Sequence, residues 1–233
     1  MYQLNAERGG ICFKDIQRED LPEILRWYND TQEFEFATGV DAPISLDKLA
    51  ESFEGIASSG KDFFAGIYSV ENGEMIGFLK GALKEKPEPE TGEKSAKKTG
   101  GGNEGGFGKD PTCLWGYGGE RARGSEGKHE KNINWNVWLS ILAIKPAYRN
   151  KGYGGKAVEL LLDCLKENVG VKEAYLAVVE ENFKGRAFWA RKGFEEIKRL
   201  ENHAAPSGRV CNAVIMRRAV QQQLKISATQ DLL

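Results

Sequence analysis

Between Leu142 and Ala157 the chain reads LAIKPAYRNKGYGGKA, in which Arg149, Lys151 and Lys156 are interleaved with Gly152, Gly154 and Gly155. Glycine leaves main-chain N–H groups unshielded by a Cβ atom, and guanidinium and ammonium groups add formal charge, so the mixture suits a phosphate or pyrophosphate. An apolar run from Trp138 to Ile144 precedes it and stops at Lys145-Pro146. Val158, Leu161, Leu162 and Leu165 follow at i, i+3, i+4 and i+7, the spacing of one helix face. The pattern predicts a strand, a glycine-rich turn and a helix start. The first N–H groups of that helix would lack intrahelical partners and carry about half a positive charge.

Several phosphate motifs can be weighed against this stretch. A Walker A loop fails on spacing, because Asn150 stands where its first glycine belongs and Ala157 where Ser or Thr should follow the lysine. Gly152-x-Gly154-x-x-Ala157 does fit the dinucleotide fingerprint, and Glu180 lies near the distance of a ribose-binding acid. That match comes late, with too little chain after it for two mononucleotide-binding halves. A longer pattern is more specific. Leu142-x-Ile144-x-Pro146-x-x-Arg149-x-x-Gly152-x-Gly154 resembles the acetyl-CoA motif of the GNAT-type N-acetyltransferases. Val178-x-x-x-Asn182, then Trp189-x-x-x-Gly193-Phe194, resembles that family's second signature, in the right order and at the right distance.

The resemblance implies a mixed α+β fold: a mostly antiparallel sheet flanked by helices, with a splayed parallel βαβ centre that holds pantetheine. It implies acetyl-CoA as cosubstrate, with Arg149, Lys151, Gly152, Gly154, Gly155 and Lys156 around the pyrophosphate. Asn182 would contact the CoA arm, and main-chain groups of Leu142 and Ile144 would pair with pantetheine. The implied reaction is direct attack on the thioester by a primary amine of a small molecule or peptide. The connection between the first two helices commonly lines the acceptor pocket in this family, and here residues 29–43 hold Glu33, Phe34, Glu35 and Phe36. Acidic and aromatic side chains suit a cationic amine, and Glu33 and Glu35 are the candidate bases, with Glu180 a weaker one. Trp189 departs from the pattern, because many family members carry there a Tyr that protonates the leaving thiolate. Indole is a hydrogen-bond donor only and is not expected to act as such an acid. That departure keeps open a non-catalytic acyl-CoA-binding or regulatory module. A homodimer is compatible with the family.

The elements that must position these residues can be read around them. The 233 residues suit one domain, residues 1–217, with an insertion and a C-terminal tail at 218–233. A strand is predicted at 10–16, then a helix starting at Asp20-Leu21-Pro22 with Leu21, Ile24, Leu25 and Tyr28 on its apolar face. Ser45 caps a second helix, which ends at Ser58-Ser59-Gly60. Residues 63–70 and 75–83 read as a hairpin closed by Asn72-Gly73. Residues 84–130 hold 12 of the 28 glycines and few aliphatics, and read as a flexible insertion between two strands. A strand at 174–179, a short helix at 184–192 and two antiparallel strands at 194–200 and 209–216 complete the body.

Composition excludes other classes. A net charge of −1 argues against a general nucleic-acid or membrane surface. No run of about 18 apolar residues offers a transmembrane span. The four cysteines are far apart and make no metal-type pair, and His129 and His203 have no ligand partner by spacing, so no metal site is expected. A reducing cytoplasm is the default compartment.

Overall fold

The computed structural model describes residues 1–85, 135–204 and 210–220. Nearly all of the glycine-rich insertion, with His129, therefore lies outside the described residues, as does the tail beyond Val220. The fold is mixed α+β, built on one eight-stranded sheet in the order β1-β2-β3-β4-β5-β6-β8-β7. Gly9 and Gly10 both take positive φ (63° and 85°), which turns β1 (Ala6–Arg8) tightly into β2 (Ile11–Asp15). Asn72-Gly73 lies in the turn between β3 (Asp62–Ser69) and β4 (Met75–Glu85), as the dipeptide predicts. After β5 (Trp135–Ile144) come β6 (Glu173–Val179), β7 (Glu195–Ala204) and β8 (Val210–Ala219). All neighbouring pairs are antiparallel except β5 with β6.

The sheet is covered on both faces. On one face lies α4 (Tyr153–Val169), which buries Ala157, Val158, Leu160, Leu161, Leu162 and Leu165 against β-strand residues such as Phe63, Leu79, Val137 and Leu176. Each of the four leucines contributes roughly 1.5–3 kcal/mol of burial. On the other face α1 (Leu21–Asn29) and α3 (Leu46–Ser59) pack Ile24, Trp27, Tyr28, Leu49 and Phe53 around Phe64 and Phe78. Ser45 caps α3 by accepting from the Lys48 N–H.

One stretch departs from the sequence expectation. The connection after α1 contains a helix, α2 (Thr31–Thr38), capped by Asp30 accepting from the Glu33 N–H and closed by Gly39 in the left-handed conformation. Its Glu-Phe-Glu-Phe alternation lacks a helical apolar stripe. Only Phe34 and Thr38 are buried, Phe34 stacking on Trp27.

Parallel pairing between β5 and β6 is short. It joins Asn136–Leu139 to Glu173–Leu176 and stops. At that point the β4–β5 register steps from Gly81↔Leu139 to Lys80↔Ile141, so Ser140 is the extra residue of a β-bulge. The bulge swaps the faces of β5. Val137 and Leu139 pack on the α4 side, whereas Ile141 and Ala143 pack on the α1–α3 side. Beyond it β5 continues along β4, and Ala177–Val179 of β6 continue along β8. The two strands part, leaving a wedge between residues 140–144 and 177–179.

Candidate functional site: the wedge between β5 and β6

Main-chain groups line this wedge. Lys145 N–H donates to Ile76 C=O, in step with the register pair Phe78↔Ala143. By the alternation of an antiparallel ladder, Ile141 and Ala143 bond β4, while Leu142 and Ile144 turn their N–H and C=O groups to the open edge. Across the wedge, Glu180 N–H donates to Asn212 C=O, so by the same rule Ala177 and the Val179 N–H face the opening, while the Val179 C=O accepts from the Asn182 N–H.

The glycine-rich turn sits at the end of β5. Residues Pro146–Tyr148 form one 3-10 turn, and α4 begins at Tyr153 with Gly152 as its N-cap in the left-handed conformation, φ 85°. No side chain caps this helix and no acidic residue lies in its first turn. Its leading N–H groups remain turned outward, where the macrodipole favours an anion. A Cβ on Gly154 would meet Phe188 at 3.5 Å and Ile144 at 3.7 Å, ordinary contacts, so close packing does not require a glycine there.

The turn is clamped from behind. Tyr148 Oη donates to Glu74 at 2.6 Å, and Lys145 Nζ bridges Glu74 at 3.0 Å and Glu23 at 3.2 Å while lying over the Trp27 ring. The hydrogen bonds from Tyr148 and Lys145 hold the Glu74 carboxyl below its usual range. That same bond to Glu74 raises the Tyr148 phenol.

The basic residues singled out from sequence divide. Lys151 stays in the turn with Nζ 5.7 Å from the Tyr148 ring. Lys156 reaches away to the Gly9 carbonyl at 2.9 Å. Arg149 turns back: Nε donates to the Ile144 carbonyl at 2.8 Å, one terminal nitrogen to the Glu33 carboxylate at 2.6 Å, and the other to the Glu33 carbonyl at 3.0 Å. A cation that the sequence analysis did not select comes in instead. Lys192, at the end of α5 (Phe183–Arg191), lies over Gly155, where a Cβ would stand 2.7 Å from Nζ. Only the docking of α5 brings it there, so no spacing in the sequence points to it.

The second signature falls at α5. Asn182 is its N-cap, accepting from the Gly185 N–H at 2.8 Å, and the side chain lies so close that a Cβ on Gly185 would strike it. Trp189 is half-buried, edge-on to Phe188 at 5.0 Å and to Phe194 at 5.1 Å, and packs on the α4-side core. On the opposite face of the sheet, Glu33 is bound to Arg149, and Glu35 lies about 200° further round α2. The hydrogen bond from Arg199 holds the Glu180 carboxyl below its usual range, which makes Glu180 a weak proton acceptor. His203 stands in β7. Among the described residues no group of His, Cys, Asp and Glu could hold a metal ion, and no helix is long and apolar enough to cross a membrane.

Comparison with known proteins agrees with this geometry. Residues 21–194 match the Acetyltransferase (GNAT) family. Among solved structures, the chain is similar to a spermidine N-acetyltransferase from Vibrio cholerae, solved with CoA and spermine. The TM-score is 0.60 at 15% identity, over 91% of this chain and 96% of that one. It is also similar to an acetyl transferase from Salmonella typhimurium that modifies the N-terminal serine of ribosomal protein L7/L12. Here the TM-score is 0.60 at 9% identity, over 92% of this chain and 97% of that one. No curated protein matches the chain in sequence. Acetyl-CoA is the cosubstrate of the matched family. The wedge edges and the uncapped start of α4 are the hydrogen-bonding groups that an amide-bearing arm and a pyrophosphate require. With its signatures, its sheet and its wedge, the chain is a member of the GNAT acetyltransferase family.

Proposed function

We propose that this protein is an N-acetyltransferase that moves the acetyl group of acetyl-CoA to a primary amine of a small molecule or peptide by direct attack. The observation that carries the reading is the wedge opened by the Ser140 bulge, with the uncapped start of α4 at its end. In this reading the N–H groups around Gly152, Gly154 and Gly155 hold the pyrophosphate, helped by the charges of Lys151 and Lys192. Main-chain groups of Leu142 and Ile144 face the pantetheine amides, with the Ile144 carbonyl already taken by Arg149. Asn182 fixes the opposite lip by capping α5. The amine enters from the sheet face that carries α2, opposite α4.

Acetyl-CoA supplies the activated acyl group as a thioester. The protein must present a neutral amine to it. With a pKa near 10.4, on the order of one part in 10³ of a primary amine is neutral at pH 7, a cost of roughly 4–5 kcal/mol. A carboxylate or an ordered water that takes the proton lowers this cost. Glu33 is paired with Arg149, and Glu35 is the other α2 carboxylate to test. No acid is needed where Trp189 replaces the family's Tyr. A thiol of pKa about 8.5 leaves as thiolate at a cost of only about 2 kcal/mol at pH 7, and water can protonate it afterwards. Three described cysteines are free thiols, which suits a reducing cytoplasm.

The packing role of Trp189 favours one second reading, a module that binds acyl-CoA without turning it over. Incubation with acetyl-CoA and a panel of polyamines, amino acids and peptide N-termini, read by release of free thiol, separates the two. Amine-dependent thiol release supports transfer. Tight binding with no release from any amine supports the binding module.

A further inference from the structure

One side chain links the turn at the end of β5 to α2. Arg149 leaves the turn at the end of β5 and fastens three groups of other elements: the Ile144 carbonyl, the Glu33 carboxylate and the Glu33 carbonyl. Its guanidinium carbon also stands 4.9 Å from the centre of the Phe34 ring. Glu33 and Phe34 are consecutive residues of α2. At eight residues, α2 is shorter than an isolated helix can sustain in water, and it buries only Phe34 and Thr38. Phe34 packs with Ile141 and Ala143, the part of β5 beyond the bulge. The apolar hold on α2 centres on one buried ring, Phe34, stacked on Trp27, and the guanidinium adds a polar tether beside it. A planar fork with fixed donors is suited to such bridging, and a lysine is not.

We infer that Arg149 is a positioning residue that couples the acetyl-CoA site to α2, the helix facing the acceptor, rather than a phosphate ligand. This rests on the proposed acetyl-CoA site at the start of α4. The coupling has a physical route. A pyrophosphate on the N–H groups near Gly152 and Gly154 restrains the turn that carries the Arg149 main chain. The guanidinium, held at its far end by α2, passes that restraint on. The ordering cost of the turn is then shared between cofactor and acceptor sides, so occupancy of one favours order in the other. The inference gives Glu33 a tethering role and removes it from the list of bases. It also accounts for a cofactor motif whose arginine bonds Ile144 and Glu33.

The test is hydrogen exchange of residues 31–38, with and without acetyl-CoA, in the full chain and in Glu33→Gln, Arg149→Lys and Arg149→Gln, together with calorimetric affinities. In the wild type, saturating acetyl-CoA should slow exchange over α2 by about fivefold or more, the lower range of ordinary coupling. In Glu33→Gln and Arg149→Gln that slowing should vanish, while the affinity for acetyl-CoA stays within about threefold of the modest change expected for a part-exposed pair. Arg149→Lys should recover less than half of the slowing, since it keeps the charge but loses the fork. Slowing that persists in Glu33→Gln, or that is absent in a wild type that binds acetyl-CoA, overturns the coupling. A large loss of affinity in Arg149→Gln that Arg149→Lys restores overturns it in favour of a phosphate ligand. Failure of the wild type to bind acetyl-CoA is a separate result, which overturns the site itself and the coupling with it.

Discussion

The two sides of the wedge are built in different ways. The α4 side is made of main chain: Gly152 in the left-handed conformation, an uncapped helix start and the open edge of β5. The α2 side is held by side chains: Asp30 caps it, Phe34 anchors it and Arg149 ties it down. The same physics explains both choices. A helix start capped by its own residue, as in α2, α3 and α5, has spent donors that α4 keeps available for an anion. Main-chain recognition suits a cosubstrate common to a family. Side-chain tethering suits a wall that can differ between members.

The largest effect expected from this contrast is at Gly154. Glu in its place adds a carboxylate at the helix N-terminus where the proposed pyrophosphate site lies, and a Cβ there makes only ordinary contacts. Affinity for acetyl-CoA should fall by about 100-fold or more with little change in thermal midpoint, measured by calorimetry and a melting curve. Next in size is Glu35→Gln, which should lower turnover on the order of 10² and change the acid limb of the pH–rate profile, where any carboxylate base is lost by taking up a proton, with acetyl-CoA affinity unchanged. An unaltered profile would remove Glu35 as base and leave water in that role. Gly81→Ala should destabilise the protein by about 1–3 kcal/mol in denaturant titrations. Its Cβ would stand 2.5 Å from the Trp138 carbonyl, beside the bulge, where backbone cannot give way.

Smaller effects probe the clamp and the altered signature. The Glu74 carboxyl is depressed, so the stability it contributes is present above the ordinary carboxylate range and is lost as pH falls through its lowered value. Glu74→Gln should therefore melt below the wild type at neutral pH. The difference should begin to shrink as pH falls below the ordinary carboxylate value of about 4.3 and disappear once the carboxyl is protonated in the folded protein as well. Trp189→Phe should change turnover by less than about threefold, because an aromatic that only packs is replaced by another.

The contrast also explains what could be read from sequence. The strand, glycine turn and helix around Arg149 are legible because main-chain sites need particular residues at fixed spacing. The β3–β4 hairpin is legible through Asn72-Gly73, and α3 through Ser45 and Gly60. The α2 helix was not, because its Glu-Phe-Glu-Phe pattern shows no helical stripe and its hold comes partly from a residue 116 positions away. Strand β1 is three residues long and depends on pairing with β2, so its own pattern says little. The Ser140 bulge exists only relative to the β4 register, and Lys192 reaches Gly155 only once α5 is docked.

The most direct test of the central claim is calorimetric titration of the wild-type protein with acetyl-CoA, CoA and NAD. If the uncapped start of α4 and the wedge form an acyl-CoA site, acetyl-CoA and CoA bind with one-to-one stoichiometry and NAD does not. Binding of NAD, with no heat from either CoA species, would contradict the account and return the Gly152-x-Gly154-x-x-Ala157 match to first place.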